Sequence, residues 1–418
     1  MQSIVGEVSE GTVVFLVIPR EKCILTLNIL LSRTIILTRL FRVIDDENEI
    51  LIEEGPIALL KTGVSNRVCI SDINIQKENF YRFQWCIDDK VIRTHRLRMD
   101  MNPKKLVFVS CDLPQADTQH SLWNNISAES PDLCCHIGDN IYGDSTYHSR
   151  ALDYNSLYQD TWGRWEPLLL DTSHLMIPDD HDITDGYTYG HTGAAVERGL
   201  QAYVDYQEAL VNNNDSGSGF IVKRIRHDTV LVMISRTFIP MSPLDKLKQL
   251  RKSLTGNVII AFSSAPILIP DNFRGTIYKT VFGDEGWDNI ALRELYDFCF
   301  ELMEENSNTR IVLIGGDVHF GVQGTINKGF MSIPIFITSP ISNQPTIVEK
   351  ICAKSLNGTI HFHDYILNLE SHARRNYLRL LFPEGKSRDI SGELIWNHEK
   401  YPGSILTFTG ELLHMIGI

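Results

Sequence analysis

The stretch LCCHIGDNIY, residues 133–142, joins a short apolar run to a turn that is rich in polar side chains. The run has the length of a buried strand, and Gly138 and Asn140 both tolerate the backbone angles of a tight turn. A turn alone accounts for most of the stretch, but it does not explain why Tyr142 follows Asp139 by three residues. The stretch therefore predicts a buried strand and leaves open what these two side chains do at its end.

Three other apolar runs end in a similar way. One is followed by SCD at 110–112, one by DDHDITD at 179–185 and one by GDVHFG at 316–321. Taken singly, each has a structural explanation as a buried thiol, a turn or a solvated loop. In open α/β sheets, however, sites form in the crevice outside the carboxyl ends of the strands. Four such ends in one chain favour a single shared site.

The side chains at these four ends are of types that bind metal ions. Aspartate and histidine suit hard or borderline cations, whereas a thiolate and a phenolate favour a strongly polarising ion such as ferric iron. The candidates are Cys111, Asp112, Asp139, Asn140, Tyr142, Asp144, Asp179, Asp180, His181, Asp182, Asp185, Asp317 and His319. Asp112 is expected to face solvent or to support the ligands from behind.

The pattern of the chain changes near residue 101. Residues 1–100 contain short β-rich runs separated by turns and charges, which is typical of an antiparallel sandwich. Beyond Met101-Asn102-Pro103, strands alternate with helical segments, which indicates an α/β domain. The predicted strands are Leu106–Cys111, Leu133–Ile137, His174–Pro178, Val230–Ser235, Val258–Phe262, Arg310–Gly315 and Ile335–Thr338. The predicted helices are Gly193–Val211, Leu244–Leu254, Asp288–Glu305 and Tyr365–Leu381.

Composition narrows the class of protein. The chain has 418 residues, a formal net charge of -13 and 43% hydrophobic residues, which is typical of a soluble globular protein. The negative charge argues against sequence-specific nucleic-acid binding and against an anionic membrane surface. Eight cysteines without a CxxC pair favour a reducing compartment, and the N-terminus lacks the features of a secretory signal. We therefore expect a cytoplasmic protein, and no protein partner can be inferred.

In order and spacing together, these motifs resemble the PhoD-like (alkaline phosphatase D) branch of the calcineurin-like metallophosphoesterases. The resemblance covers most of residues 103–345. It rests on SCD at 110–112, HIGDNIYGD at 136–144, DDHDITD at 179–185, LQAYVDYQ at 200–207, LVMISRT at 231–237, GWDNIALREL at 286–295, IGGDVHFG at 314–321 and ITSPISN at 337–343. It implies an α/β fold: a metallophosphoesterase-type four-layer αββα β-sandwich core in residues 101–418, with an N-terminal all-β sandwich domain in residues 1–100.

The resemblance also implies a role for the tyrosine that follows the opening strand. Asp139 would bridge two metal ions, and Tyr142 would supply a phenolate to one of them. Cys111 matches the thiolate ligand of the same ion, and Asp317 matches its remaining carboxylate. Iron (Fe3+) and calcium are the metals implied, with other divalent metals as alternatives.

The remaining roles come from the general metallophosphoesterase patterns. Asp180 stands where an asparagine ligand is usual, and His181 stands where a histidine contacts the leaving group. His319 takes the place of the second histidine of the GHxH pattern. Asn140, Asp185 and Arg236 are candidate substrate contacts.

The implied activity is hydrolysis of phosphomonoesters, phosphodiesters or both, by attack of a metal-activated water on phosphorus. The substrate would be a small phosphate ester. The chain departs from the family where Pro178 replaces a tryptophan and where Ser235 replaces an aspartate. The alternative is a catalytically degenerate scaffold or binding protein that retains a structural metal cluster.

Overall fold

The computed structural model of the chain describes residues 2–9, 12–18, 33–43, 49–61, 66–70, 80–87, 90–98, 102–113, 116, 121–143, 153–211, 219–238, 242–269, 275, 287–383, 390–396 and 406–408. Asp144 and Gly286, which belong to two of the motifs, lie outside the described residues.

Short strands dominate the described part of the chain. In chain order they are β1 (Gln2–Ser9), β2 (Thr12–Ile18), β3 (Arg33–Val43), β4 (Glu49–Lys61), β5 (Asn66–Ile70), β6 (Phe80–Ile87), β7 (Lys90–Arg98), β8 (Lys105–Val109), β9 (Leu133–Ile137), β10 (Ser173–Ile177), β11 (Phe220–Arg226), β12 (Thr229–Ile234), β13 (Asn257–Phe262), β14 (Arg310–Gly315), β15 (Gly321–Lys328), β16 (Met331–Ile337), β17 (Gly358–Phe362), β18 (Tyr365–His372), β19 (Asn376–Leu381), β20 (Ile390–Trp396) and β21 (Leu406–Phe408).

Helices occupy several of the connections between strands. They are α1 (Ser121–Glu129), α2 (Tyr154–Arg164), α3 (Glu166–Asp171), α4 (Ala194–Tyr206), α5 (Pro243–Leu250), α6 (Asn289–Glu305) and α7 (Ile347–Ser355). A single 3-10 turn, Asp180–Asp182, follows β10. The helix predicted at Asp288–Glu305 begins one residue later because Asp288 is its N-cap, accepting hydrogen bonds from the backbone of Ile290 and Ala291.

Two large sheets form the centre of the molecule. The first has the strand order β21-β20-β19-β8-β9-β10-β1-β2-β5, and the second has the order β11-β12-β13-β14-β16-β15-β18-β17. Strands β8, β9 and β10 are parallel, as are β12, β13, β14 and β16. The carboxyl ends of the parallel strands in each sheet therefore lie at one edge, where the sequence motifs occur.

Three apolar clusters define the layers. The two sheets pack face to face through side chains such as Phe108 and Ile137 of the first and Met233 and Phe336 of the second. Helices α1 to α4 cover the outer face of the first sheet, and α5 to α7 cover that of the second. This is a four-layer αββα arrangement, so the predicted core architecture is confirmed.

The N-terminal strands divide between two sheets. Strands β3, β4, β6 and β7 form a separate four-stranded antiparallel sheet in the order β4-β3-β6-β7. Strands β1, β2 and β5 instead extend the first large sheet, and β1 pairs in parallel with β10 through Val5 and Ser173. Residues 1–100 as a separate domain therefore stay a prediction, and part of their backbone pairing is shared with the sandwich core.

The predicted helix at Tyr365–Leu381 is wrong. The segment forms strands β18 and β19, and burial alternates along β18, with Tyr365, Leu367 and Leu369 buried and the residues between them exposed. Alternation with period two is the property of a strand that is half covered, and β18 pairs on both sides with β15 and β17. Leucine, glutamate and arginine favour a helix intrinsically, but this pairing overrides that preference.

Two expectations from composition can be compared with the described residues. Six described cysteines are buried, namely Cys86, Cys111, Cys134, Cys135, Cys299 and Cys352, and Cys111, Cys134, Cys135, Cys299 and Cys352 are free thiols. No helix in the ranges that the structure describes combines the length and the apolar character needed to cross a bilayer.

Candidate metal centre

The loops after β8, β9, β14 and β16 meet above the sandwich. Backbone hydrogen bonds tie them together: Cys111 N–H donates to the carbonyl of Gly138 (3.2 Å), and Asp112 N–H donates to that of Asp139 (2.9 Å). Ile341 N–H donates to the carbonyl of Ser110 (2.9 Å). The order of the strands in the two sheets thus brings residues that are about two hundred positions apart into one cluster.

Close packing of these loops requires glycine at two positions. A Cβ atom at Gly138, where φ is +97°, would lie 2.8 Å from the Cβ of Asp179. A Cβ atom at Gly316 would lie 2.7 Å from the carbonyl oxygen of Ser263 and 2.8 Å from that of Ile137, which belong to opposite sheets. The second glycine therefore lets the loop after β14 run between the two sheet edges.

The backbone is in the left-handed region at four of the predicted ligands. Cys111 has φ 57°, Asp139 φ 52°, Asp317 φ 74° and His319 φ 53°. Such angles cost free energy for a residue with a Cβ atom and persist where the surrounding structure imposes them. Two of the remaining described non-glycine residues, Ser130 and His363, share the property. The strained backbone is thus concentrated where the loops meet.

One group of potential ligands is formed by Cys111, Asp139 and His319, whose ligand atoms all lie within 4.8 Å of one another. The Sγ atom of Cys111 is 3.5 Å from Oδ2 of Asp139. The hydroxyl of Tyr142 is 3.5 Å from the same Oδ2 and 3.3 Å from Nε2 of His319. The main chain of Asp317 also borders this group, because its carbonyl oxygen is 3.6 Å from Cys111 Sγ.

A second group is formed by Asp139, Asp180 and His181, again with ligand atoms within 4.8 Å of one another. The 3-10 turn after β10 carries Asp180 and His181. The imidazole of His181 packs against the ring of Tyr142 at a centroid distance of 4.4 Å. Asp139 belongs to both groups, so its carboxylate is shared by two sets of potential ligands.

Burial and neighbouring carboxylates disfavour negative charge on the potential ligands of the two groups. Burial raises the pKa of the Cys111 thiol well above its usual value, and the carboxylates of Asp139 and Asp317 raise it further. Burial likewise raises the pKa of Asp139, which His181 lowers and the neighbouring aspartates raise. Within the described residues, Oδ1 of Asp139 has no hydrogen-bond partner although it is buried. A bound cation would reverse each of these penalties, so the donor set fits a metal ion.

Arg236 brings positive charge to the rim of this cluster. Its guanidinium Nη2 is 3.8 Å from Oδ2 of Asp317, and its side chain is partly buried. Its backbone N–H donates to the hydroxyl of Ser263 (2.9 Å), which fixes the loop after β12. Burial raises the pKa of Asp179 to about 6, while Arg236 lowers it.

Two of the candidate substrate contacts lie elsewhere. The amide Nδ2 of Asn140 donates to the carbonyl of Ile177 (2.9 Å) and to Oε1 of Gln207 (2.9 Å), so both of its hydrogens serve the framework of the loop. Asp185 is exposed beyond the 3-10 turn. Of the three, Arg236 is the residue that the structure brings to the ligands.

Asp182 holds the loop after β9 against the turn after β10. Its carboxylate accepts hydrogen bonds from the backbone N–H groups of Asn140 (3.0 Å), Ile141 (3.2 Å) and Asp179 (2.8 Å) and from Nε2 of Gln207 (2.7 Å). Burial raises its pKa to about 7, and these donors oppose the shift. The DDHD motif therefore combines candidate ligands with a residue that fixes their backbone.

Three residues near the cluster were not identified as site residues from the sequence, or were placed differently. Asn343 donates from Nδ2 to the hydroxyl of Tyr142 (3.1 Å) and lies 3.3 Å from Nε2 of His319. Glu349 Oε1 lies 2.7 Å from Nδ1 of His319. Asp112 does not face solvent, because it is buried behind the ligand loops. Asn343 at the end of ITSPISN could have been suspected from the motif, whereas Glu349 lies beyond every motif.

A further group with metal-binding side chains lies beneath the cluster, on the face of the first sheet that the helices cover. Cys134, His136 and His174 are fully buried, and Nε2 of His136 is 3.0 Å from Nδ1 of His174. Trp165 packs against the ring of His136 at a centroid distance of 4.7 Å. Burial lowers the pKa of both imidazoles, that of His174 to about 3. The two neutral imidazoles of His136 and His174, joined by one hydrogen bond, account for this buried group without a metal ion.

Comparison with known proteins identifies the architecture. No protein-family profile matches the chain, and no curated protein matches it. Among solved structures, one described as a structure of PhoD matches with a TM-score of 0.67 and 12% sequence identity, over 97% of this chain and 88% of that chain. The chain has the fold of PhoD.

The PhoD fold of this chain is also similar to a plant enzyme. Purple acid phosphatase PPD1 from yellow lupin (Lupinus luteus) seeds matches with a TM-score of 0.63 and 9% identity, over 96% of this chain and 73% of that chain. At such identities the likeness establishes the architecture. The fold class predicted from the sequence motifs is therefore confirmed.

Proposed function

We propose that the protein is a metal-dependent phosphoesterase of the PhoD-like branch of the metallophosphoesterases. It hydrolyses phosphomonoesters, phosphodiesters or both. The observation that carries this proposal is that Asp139 belongs to two ligand groups, lying within 4.8 Å of ligand atoms of Cys111 and His319 and also of ligand atoms of Asp180 and His181. A carboxylate shared by two ligand groups is the arrangement that a two-metal hydrolytic site requires.

The proposed assignment of ligands combines these groups with the sequence motifs. Cys111, Tyr142, Asp317 and His319 would hold one cation with Asp139, and Asp180 would hold the second with Asp139. Iron and calcium are the proposed metals, because a thiolate and a phenolate suit ferric iron and carboxylates suit calcium. When bound, such a pair supplies Lewis-acid chemistry and an activated water.

The side chains of the chain itself then have defined tasks. His181 donates a proton or hydrogen bond to the departing ester oxygen, for which its ring is held against Tyr142. Arg236 orients a phosphoryl oxygen from the rim, where its guanidinium is already close to Asp317. The apolar sandwich beneath limits access of water from below. The phosphate ester is small, since the net charge of -13 disfavours a polyanionic polymer.

Two broader assignments belong to the same proposal. The free and buried thiols of Cys111, Cys134, Cys135, Cys299 and Cys352 support a reducing, cytoplasmic setting. Residues 1–100 are proposed to form an N-terminal β unit joined to the catalytic part, residues 101–418.

The proposal is tested with one conservative variant and a matched control. Purified protein is supplied with iron and calcium, its metal content is measured, and hydrolysis of nitrophenyl phosphate mono- and diesters is followed. Asp139→Asn removes charge from both ligand groups, so we expect loss of both metals and at least about a 100-fold fall in kcat/KM, more than the loss expected for a residue outside the ligand set. Asp160→Asn makes the same change at an exposed position of α2 and should alter neither quantity.

The same measurements separate the alternative function. A scaffold that keeps its metals for stability would bind iron and calcium but hydrolyse neither ester. Protein that binds no metal would contradict both the proposed activity and the proposed centre.

A further inference from the structure

Glu349 is a buried carboxylate that carries out two tasks at the start of α7. The side chain of Thr346 accepts a hydrogen bond from Glu349 N–H (3.3 Å), and Thr346 N–H donates in return to Oε2 of Glu349. These two bonds form a capping box. The other oxygen, Oε1, lies 2.7 Å from Nδ1 of His319. Both carboxylate oxygens are therefore occupied by N–H donors from different segments.

Capping alone does not explain why Glu349 is buried. Its side chain is 2% exposed. Removing a carboxylate from water costs several kcal/mol unless hydrogen bonds compensate for the lost hydration. A glutamate that only caps a helix can do so at the surface. The contact with His319 supplies the second compensating donor and directs the carboxylate toward the metal centre.

The contact determines which nitrogen of His319 carries the proton. A carboxylate oxygen that accepts a hydrogen bond pairs with an N–H at Nδ1 of His319, and in the Nδ1–H tautomer Nε2 retains its lone pair. Nε2 faces the ligand groups: it is 3.3 Å from the hydroxyl of Tyr142 and 3.3 Å from Nδ2 of Asn343, an amide donor. A lone pair at Nε2 is what a cation beside Cys111 and Asp139 would require.

The backbone of His319 is fixed independently of its ring. Its N–H donates to the hydroxyl of Ser339 (3.0 Å), and its φ is 53°. With the backbone held in this way, rotation of the imidazole and the choice of tautomer remain to be set, and Glu349 sets both.

We propose that Glu349 is the positioning residue of the metal centre, holding His319 as the Nδ1–H tautomer so that Nε2 is presented to the cation that Cys111 and Asp139 bind. The inference rests on the proposed function, because it assigns a task within the same centre. Carboxylates that orient metal-binding histidines in this way typically contribute 10- to 100-fold to metal affinity.

Glu349→Gln tests the tautomer directly. A glutamine amide has one accepting and one donating end, whereas Glu349 accepts from two N–H donors. If the amide oxygen keeps the Thr346 cap, the NH2 group faces Nδ1 of His319 and places the imidazole proton on Nε2. If the amide flips, the cap is lost instead. Glu349→Asp keeps two accepting oxygens on a side chain that is one methylene shorter.

The measurement is a titration of metal-free protein with Co2+, followed through the visible absorption of cobalt bound to the Cys111 thiolate. We expect the dissociation constant to rise by about 10- to 100-fold in Glu349→Gln and by less in Glu349→Asp. Thr346→Ala is the control for helix capping, because it removes the cap hydroxyl without touching His319. It should lower the melting temperature and leave the dissociation constant within about twofold.

Each contrary outcome has its own meaning. If the melting temperature shows that Glu349→Gln keeps the cap, its NH2 group faces His319, and equal dissociation constants in the wild type, Glu349→Gln and Glu349→Asp then overturn the positioning role while leaving the phosphoesterase proposal intact. Equal weakening in Thr346→Ala and Glu349→Gln shows that only the cap matters, which also overturns it. Wild-type protein that gives no thiolate-to-cobalt absorption contradicts the proposed centre itself, and the positioning role with it.

Discussion

Asp112 is buried among hydrogen-bond donors from three distant segments. Its Oδ1 accepts from the hydroxyl of Ser342 (2.6 Å) and from the indole of Trp123 (3.4 Å), and its Oδ2 accepts from the indole of Trp165 (3.0 Å). Burial raises its pKa, and these three donors lower it. Because its N–H also bonds to the carbonyl of Asp139 (2.9 Å), Asp112 connects the ligand loops to the helices outside the first sheet.

Asp112→Asn should destabilise the protein although it preserves shape. The new NH2 group must face at least one indole N–H, and a buried donor without an acceptor costs about 1–3 kcal/mol. Urea unfolding of the variant should show a loss of that size in the free energy of unfolding. Asp160→Asn, on the exposed side of α2, serves as the control and should change it by less than about 0.5 kcal/mol. An unchanged value in Asp112→Asn would mean that the carboxylate is not the acceptor for both indoles.

Candidate site residues could be identified from the sequence where they belong to short motifs. Cys111, Asp139 and His319 follow apolar runs directly, so their type and position could be identified, and the structure brings them together. The hydrogen-bond partners of Asp112 could not be foreseen, because Trp165 is 53 positions away from it in the chain. Glu349 could not be foreseen either, since nothing local distinguishes it from any other helix-capping glutamate.

At the scale of elements, α4 is packed directly on the turn that carries Asp180 and His181. A Cβ atom at Gly199 would lie 2.6 Å from the carbonyl oxygen and 2.8 Å from the Cα of Ile183, the residue that ends this turn. Backbone atoms cannot give way as the tip of a flexible side chain can. The absence of a side chain at position 199 therefore sets the distance between the helix and the candidate ligands.

Gly199→Ala should push α4 away from the turn. Overpacking costs about 1–3 kcal/mol, which offsets the gain of about 1 kcal/mol that alanine brings to a helix. We expect a lower melting temperature and weaker Co2+ binding together, since the turn and its ligand move with the helix. Gln201→Ala, at an exposed position of the same helix, should alter neither. A more stable Gly199→Ala variant would show that the contact is not tight.

Strands and helices were predicted well where apolar runs are continuous. They were predicted poorly where the sequence fits both the helical and the strand periodicity of apolar residues. Strands Leu133–Ile137 and Arg310–Gly315 have the predicted bounds, because buried parallel strands are apolar throughout. The segment 365–381 also fits a helix by composition, and its pairing settles it as strand: β18 pairs with β15 and β17, and β19 pairs with β8 and β20. Strands β8 and β15 are distant in the chain, so these pairing partners leave no trace in the segment itself.

At the scale of the whole molecule, the contact between the first sheet and its helices contains two imidazoles that must stay neutral. Burial lowers the pKa of His174 to about 3 and also lowers that of His136. In the unfolded chain a histidine binds its proton near pH 6.5. Between these pH values the unfolded state binds more protons than the folded state. The free energy of unfolding is therefore not reduced by these histidines above about pH 6.5, and it falls as the pH decreases below that value.

This difference can be measured with His174→Gln. Between pH 7 and pH 5 the wild type should lose about 2 kcal/mol more unfolding free energy than the variant, because one neutral buried imidazole no longer opposes protonation. Urea unfolding at both pH values gives the comparison. His361→Gln, at an exposed strand position, should behave as the wild type. The same loss in wild type and His174→Gln would show that another group governs acid unfolding.

The loop with Gly316 runs between the two sheet edges, and the ligand group above it draws Cys111 and Asp139 from one sheet and His319 from the other. A cation that binds all three side chains at once would cross-link the two sheets. A shift of one sheet relative to the other by a single residue, about 3.3 Å, would separate these side chains. The metal affinity of the site therefore reports how accurately the two sheets are aligned.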